Sequence, residues 1–200
     1  ININPEKTQQ IIFSKKYTYN KIYSPLKVQN HIITPTNTVK YLGMYLDTRL
    51  NHRAHTTKTL QKAYATMRLA YPIMKNPATS EENKKLVYTP IIRPIITYAA
   101  PVWCNASNPT LQKLQIFQNK CLRLIANADR YTRIEYLHER TGIETIKEYI
   151  NRISQHFYKT QLKHNPLTNT ITMLRAHNTV KEPKHKLTYQ HLPIFNEIEE

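Results

Sequence analysis

The chain has 200 residues and a formal net charge of +16, from 29 Lys and Arg against 13 Asp and Glu. That length suits one ordinary domain, or a small domain with an appendage. So large a basic excess argues for a polyanionic partner, nucleic acid first and an acidic membrane surface second.

The first fifty residues read as strands. "QQIIFS" (9–14), "PLKVQ" (25–29), "HIIT" (31–34) and "VKYLGMYLD" (39–47) are short runs rich in β-branched and aromatic residues, punctuated by proline and asparagine. Gln29-Asn30 suits a tight hairpin turn, and the basic, tyrosine-rich "KKYTYNKIY" (15–23) reads as a solvated connection. Gly43 is one of only two glycines, and it sits inside an apolar run that alternates like a strand. A glycine there marks a bulge, or a place where another backbone or a ligand comes close.

From about residue 52 the period becomes helical. Leu60, Ala63, Tyr64, Met67, Ala70, Tyr71 and Met74 form one apolar face, and Pro77 follows its end. Thr79 and Glu82 form a capping box that opens a second helix, which Pro94 is expected to kink or break. Asn108 with Pro109 opens a third, with Leu111, Leu114, Phe117, Gln118, Cys121 and Ile125 inward. "RIEYLHER" is a short helix stopped by Gly142, and a last helix runs from about Thr145 to Lys163 with Ile146, Tyr149, Ile150, Ile153 and Phe157 inward. Beyond it the periodicity is lost, and the end of the chain reads as a loosely held tail.

The most membrane-like run, residues 86–103, carries Arg93 at its middle together with Pro90, Pro94 and Pro101, so it reads as a buried core element. Residues 1–12 hold no long apolar core of a signal peptide. The chain begins with Ile, which suggests a piece of something longer. Cys104 and Cys121 read as reduced thiols, and His52 with His55 lacks a second pair at zinc-finger spacing. Asp47 and Asp129 are the only aspartates and stand far apart, whereas two-metal phosphoryl transfer needs clustered carboxylates. Catalysis by this stretch alone is therefore not expected, and no metal site is expected on it.

Helical angles group the cations. Lys113, Lys120 and Arg123 share one side of the third helix, Arg152, Lys159 and Lys163 form a stripe on the last, and Lys58 and Lys62 are an i, i+4 pair on the first. Lysines ordinarily solvate outer helix faces. Three stripes in so basic a chain favour a surface for a phosphate backbone.

"INPEKT" (3–8), "IIFS", "VKYLGMYLD", "IIRPIITYAAPVW" (91–103), "LQKLQIFQNKCLRLI" (111–125) and "LHERTGIETIKEYI" (137–150) occur in the order found in jockey-like non-LTR (LINE-type) retrotransposon reverse transcriptases. The chain resembles that family from residue 1 to about 165. The resemblance implies an α+β fold: a short antiparallel β hairpin layer at the end of the polymerase palm (1–48), a mainly helical thumb with its extension (49–165), and a tail (166–200). "NPEKT" resembles motif D, which would put Lys7 near the incoming triphosphate. "KYLG" resembles the primer grip, where Tyr41 and Leu42 would shape the hairpin and Gly43 would let its backbone approach the primer end. The family usually has glycine where Ala99 stands, and its A-D-D metal-binding motif and fingers would lie upstream. The resemblance implies an RNA template and a DNA primer as partners, the rest of the same polyprotein, Mg2+ for the complete polymerase, and a nuclear and cytoplasmic location, with no membrane. A stand-alone basic helical module that binds RNA or DNA without polymerase activity is the alternative. A relic of a decayed element is a third reading.

Overall fold

A computed structural model describes residues 3–14, 25–104 and 106–161. The expected basic connection, the tail and Lys163 fall outside the described residues.

A 3-10 turn at Pro5–Lys7, capped by the Asn4 side chain, leads into β1 (Gln10–Ile11). Then follow β2 (Leu26–Val28), β3 (His31–Ile33), β4 (Pro35–Thr36), β5 (Thr38–Tyr41) and β6 (Met44–Asp47). Gln29 and Asn30 both take positive φ, as a two-residue hairpin turn requires, and β2 pairs antiparallel with β3 across them. β5 and β6 form a second antiparallel hairpin, whereas β1 pairs in parallel with β4. Among the described residues the expected hairpin layer is thus three separate two-stranded ladders, one of them parallel.

The helices are α1 (Arg53–Lys75), α2 (Glu81–Val87), α3 (Arg93–Ile96), α4 (Ala100–Trp103), α5 (Asn108–Ile125), α6 (Ile134–Thr141) and α7 (Ile146–Gln161). Ser80, not Thr79, caps α2, its hydroxyl accepting from the Asn83 amide at 3.3 Å. Asn108 is already helical, and Ser107 is the N-cap of α5. Neither correction moves a helix by more than one residue, since adjacent polar residues compete for the same capping position. Pro94 does not break its helix. A π-helical turn at Tyr88–Ile92 joins α2 to α3, the Arg93 amide reaching back to the Tyr88 carbonyl. The wider turn accommodates Pro90 and Pro94, and the helix ends instead at Thr97.

α1 packs on α3 and α5, α5 on α6 and α7, and α4 on α7. Trp103, Tyr88, Phe117, Ile92, Ile96, Leu114, Leu122 and Ile125 fill the space between them. All six residues of the predicted α5 face are buried. On α1 the predicted face packs inward except Tyr71, which is exposed. On α7 Phe157 is 45% exposed, and Ser154 and Tyr158 take the inward positions expected of it. Gly142 ends α6 in the left-handed conformation, with its amide bonded to the His138 carbonyl. Among the described residues no helix is long and apolar enough to cross a membrane.

Candidate nucleic-acid interface

Gly43 lies at neither a bulge nor a strand interior. Leu42 (φ 45°) and Gly43 (φ 80°) are the two turn residues between β5 and β6. Both central residues of such a turn need positive φ, which glycine adopts without steric cost. A side chain at Gly43 would also press on the Tyr98 ring, 3.1 Å from where its Cβ would sit. These two facts account for the glycine within the chain itself. At the hairpin tip Tyr41 and Leu42 are 64% and 78% exposed.

The register pairs Tyr41 with Met44 and Lys40 with Tyr45. In an antiparallel hairpin closed by two residues the first pair exchanges hydrogen bonds and the second does not, so the Tyr45 amide points out of the ladder. His55 Nδ1 accepts it at 3.4 Å, and His55 Nε2 lies 3.2 Å from the Tyr98 carbonyl oxygen. These contacts describe a neutral imidazole that carries its proton on Nε2. Burial pushes the His55 pKa down, in agreement. With both ring nitrogens engaged, His55 is not disposed as half of a metal pair.

Between the β5–β6 hairpin and the first turns of α1 lies an open groove of about 540 Å³. Lys40, Arg53 and Lys58 line it together with Gln9, Thr38 and Thr57, and no carboxylate does. The first turn of α1 also lacks an acidic residue, so its amide dipoles add to the positive potential there. Hydroxyl, amide and cationic donors around an open groove suit the phosphates of a nucleic-acid backbone. Lys40 and Arg53 were not among the cations the sequence singled out. Lys40 stands in the "KYLG" stretch, and only the pairing of β5 with β6 beside α1 brings it to Arg53.

The sequence-selected cations are dispersed. Lys58 lines the groove, and the exposed Lys62 follows it one turn later on α1. Lys113 is exposed on α5. Lys120 donates to the Tyr64 hydroxyl at 3.2 Å and sits 5.1 Å from the centre of that ring. Arg123 is half-buried, with Nη1 on the Asn119 carbonyl at 3.3 Å. Arg152 is ion-paired with Glu144. Lys159 is exposed on α7, and Lys7 is exposed at the end of the 3-10 turn. None of the α5 or α7 cations lines the groove.

The described residues do not offer the carboxylate set of a two-metal site. No group of three His, Cys, Asp or Glu among them is placed to hold a metal. Asp47 Oδ1 is committed to the amides of Arg49 (3.2 Å) and Asn51 (3.0 Å), which shape the loop between β6 and α1.

The chain is 26% identical to the probable RNA-directed DNA polymerase from transposon BS of Drosophila melanogaster, across 84% of its own length and 18% of that protein. It is also 26% identical to the probable RNA-directed DNA polymerase from transposon X-element of the same species, across 94% of its length and 21% of that protein. A third relative, the RNA-directed DNA polymerase from mobile element jockey of Drosophila funebris, is 27% identical across 66% of this chain and 14% of that protein. The homologues are therefore RNA-directed DNA polymerases of jockey and other Drosophila non-LTR transposons, and this chain spans at most 21% of the length of these three. No family model and no solved structure matches it.

Proposed function

We propose that this chain is the end of the palm and the thumb of a non-LTR transposon RNA-directed DNA polymerase, and that it holds an RNA template paired with a DNA primer during cDNA synthesis. The observation that carries the reading is the groove of Lys40, Arg53 and Lys58, set beside a hairpin whose tip presents Tyr41 and Leu42 to solvent. Cations gathered from a strand and a helix neutralise phosphates without reading bases, as a polymerase that copies any sequence needs. The similarity to transposon polymerases over most of the chain supports the same assignment. In the complete protein Lys7 would lie near the incoming triphosphate, and any Mg2+ would need carboxylates that the described residues do not bring together.

The test is the salt dependence of binding to an RNA–DNA primer–template duplex. Each phosphate neutralised adds about 0.9 to the slope of log K against log salt for B-DNA. Replacing Lys40, Arg53 and Lys58 together with Gln is expected to flatten the slope by roughly 2–3. An unchanged slope would remove the groove from the interface.

A further inference from the structure

We propose that Tyr98 is a strut that fixes the tip of the β5–β6 hairpin against the helical bundle, a positioning residue whose side chain and backbone both serve the hairpin. Its phenol donates to the Leu42 carbonyl at 2.9 Å, from the corner between α3 and α4 to the hairpin turn 56 residues earlier in the chain. Its ring edge lies against Gly43, where a Cβ would come within 3.1 Å. Its own carbonyl is held from two sides, by Trp103 Nε1 at 2.8 Å and by His55 Nε2 at 3.2 Å. His55 in turn accepts the outward-pointing Tyr45 amide. The hairpin is thus tied at its turn and at its second strand to one residue, and that residue is anchored to the buried Trp103.

The arrangement joins two stretches that are separate in sequence. "KYLG" forms the turn, and "TYAAPVW" supplies the strut and its anchor, with Ala99 in the left-handed conformation (φ 54°) turning the chain toward α4. A two-stranded ribbon holds its place poorly unless something packs on it. The exposed Tyr41 and Leu42 keep a defined position because the turn beneath them is clamped. What that position serves rests on the template-primer reading above.

The experiment compares Tyr98→Phe and Tyr98→Leu with the parent 200-residue chain in two measurements. The first is amide hydrogen exchange at Met44 and Tyr45, with the buried amides of Leu114 and Leu122 reporting global unfolding. The second is binding to an RNA–DNA duplex across a salt series. Tyr98→Phe keeps the ring and removes one hydrogen bond, so exchange at the hairpin is expected to accelerate by roughly 2- to 10-fold while the core reference is unchanged. Tyr98→Leu is expected to do more, and affinity is expected to fall with no change in salt slope, because no charge is altered. Unchanged hairpin exchange in both variants would overturn the strut. Faster exchange with undiminished binding would leave the strut standing and overturn the hairpin's part in holding nucleic acid. If Tyr98→Leu does not fold, Tyr98→Phe alone separates these outcomes.

Discussion

Lys84 Nζ lies 2.5 Å from Asn127 Oδ1 and 3.3 Å from the Leu124 carbonyl oxygen, with the lysine fully buried between α2 and the end of α5. The last carbonyls of a helix lack intrahelical donors and carry the negative end of its dipole, so a cationic side chain there satisfies both needs. Asn127 holds the left-handed conformation (φ 49°) just beyond the helix, which brings its amide oxygen back to the same amino group.

Lys84→Met keeps the aliphatic stem and leaves these acceptors without their donor. It is expected to lower stability by about 1–3 kcal/mol for each acceptor left buried without a donor. Asn127→Gly removes one acceptor but suits the left-handed backbone, and it is expected to cost less. Urea unfolding midpoints of the two variants check the order. Equal losses would mean that the Leu124 carbonyl contributes nothing.

Acid should loosen the seam between the hairpin and α1. Burial is the main reason that both His52 and His55 have depressed pKa values, and for His52 it outweighs the attraction of Asp47. The groups facing His55 are His52, the Tyr45 amide, the Tyr98 carbonyl and the Trp103 ring, none of them a carboxylate. A histidine whose folded pKa lies below its unfolded value of about 6.5 binds more protons when unfolded in the interval between the two. Its contribution is therefore full above about pH 6.5 and declines as pH falls through that interval. The urea midpoint is expected to drop between about pH 7.5 and about pH 5.5, and His55→Gln is expected to reduce the drop. A midpoint that rises on acidification would contradict the buried neutral imidazoles.

Ala99 has φ 54° and ψ 28°, where an L-residue is strained by about 1–2 kcal/mol and glycine is not. The family that the sequence resembles usually has glycine there, and the turn is nonetheless made with alanine. Ala99→Gly relieves the strain but adds roughly 0.5–1 kcal/mol of chain entropy to the unfolded state. The net expectation is a gain of about 0–1.5 kcal/mol. Thermal unfolding measures it, and a clear loss would show that the Ala99 methyl packs usefully.

The helical part of the fold was legible because single-face periodicity survives when a helix packs on several neighbours at once. Leu111, Leu114, Phe117, Gln118, Cys121 and Ile125 on α5 are the example, all of them buried. On α7 the inward residues Ile146, Ile150, Ser154 and Tyr158 follow an i+4 row inclined to the helix axis, which a straight apolar stripe through Phe157 misses. Tyr158 is drawn in by the Pro101 carbonyl of α4, a partner far away in sequence. Gly43 was misplaced for a related reason. Leucine is an unfavourable resident of a positive-φ turn position, so Tyr41-Leu42-Gly43-Met44 reads as unbroken strand. The groove was illegible because Lys40 and Arg53 meet only after β5, β6 and α1 have packed together.

Arg152 shows how a charge stripe can overstate an interface. Its guanidinium is bound by the Glu144 carboxylate and lies 5.2 Å from the centre of the Tyr149 ring. Its side chain is 61% exposed, so the pair is screened by water and contributes about 0–1 kcal/mol to stability. A phosphate would have to compete with Glu144 for the same donors, which removes most of the gain from releasing a counterion. Arg152→Gln is therefore expected to leave the salt slope for an RNA–DNA duplex within a few tenths of the parent value, against about 0.9 for a cation that neutralises a phosphate in B-DNA. Glu144→Gln frees the guanidinium and is expected to steepen the slope if that face of α7 meets nucleic acid. Measuring both variants beside the Lys40, Arg53 and Lys58 replacement locates the interface. A slope that flattens by about one unit in Arg152→Gln would move it from the α1 groove toward α7.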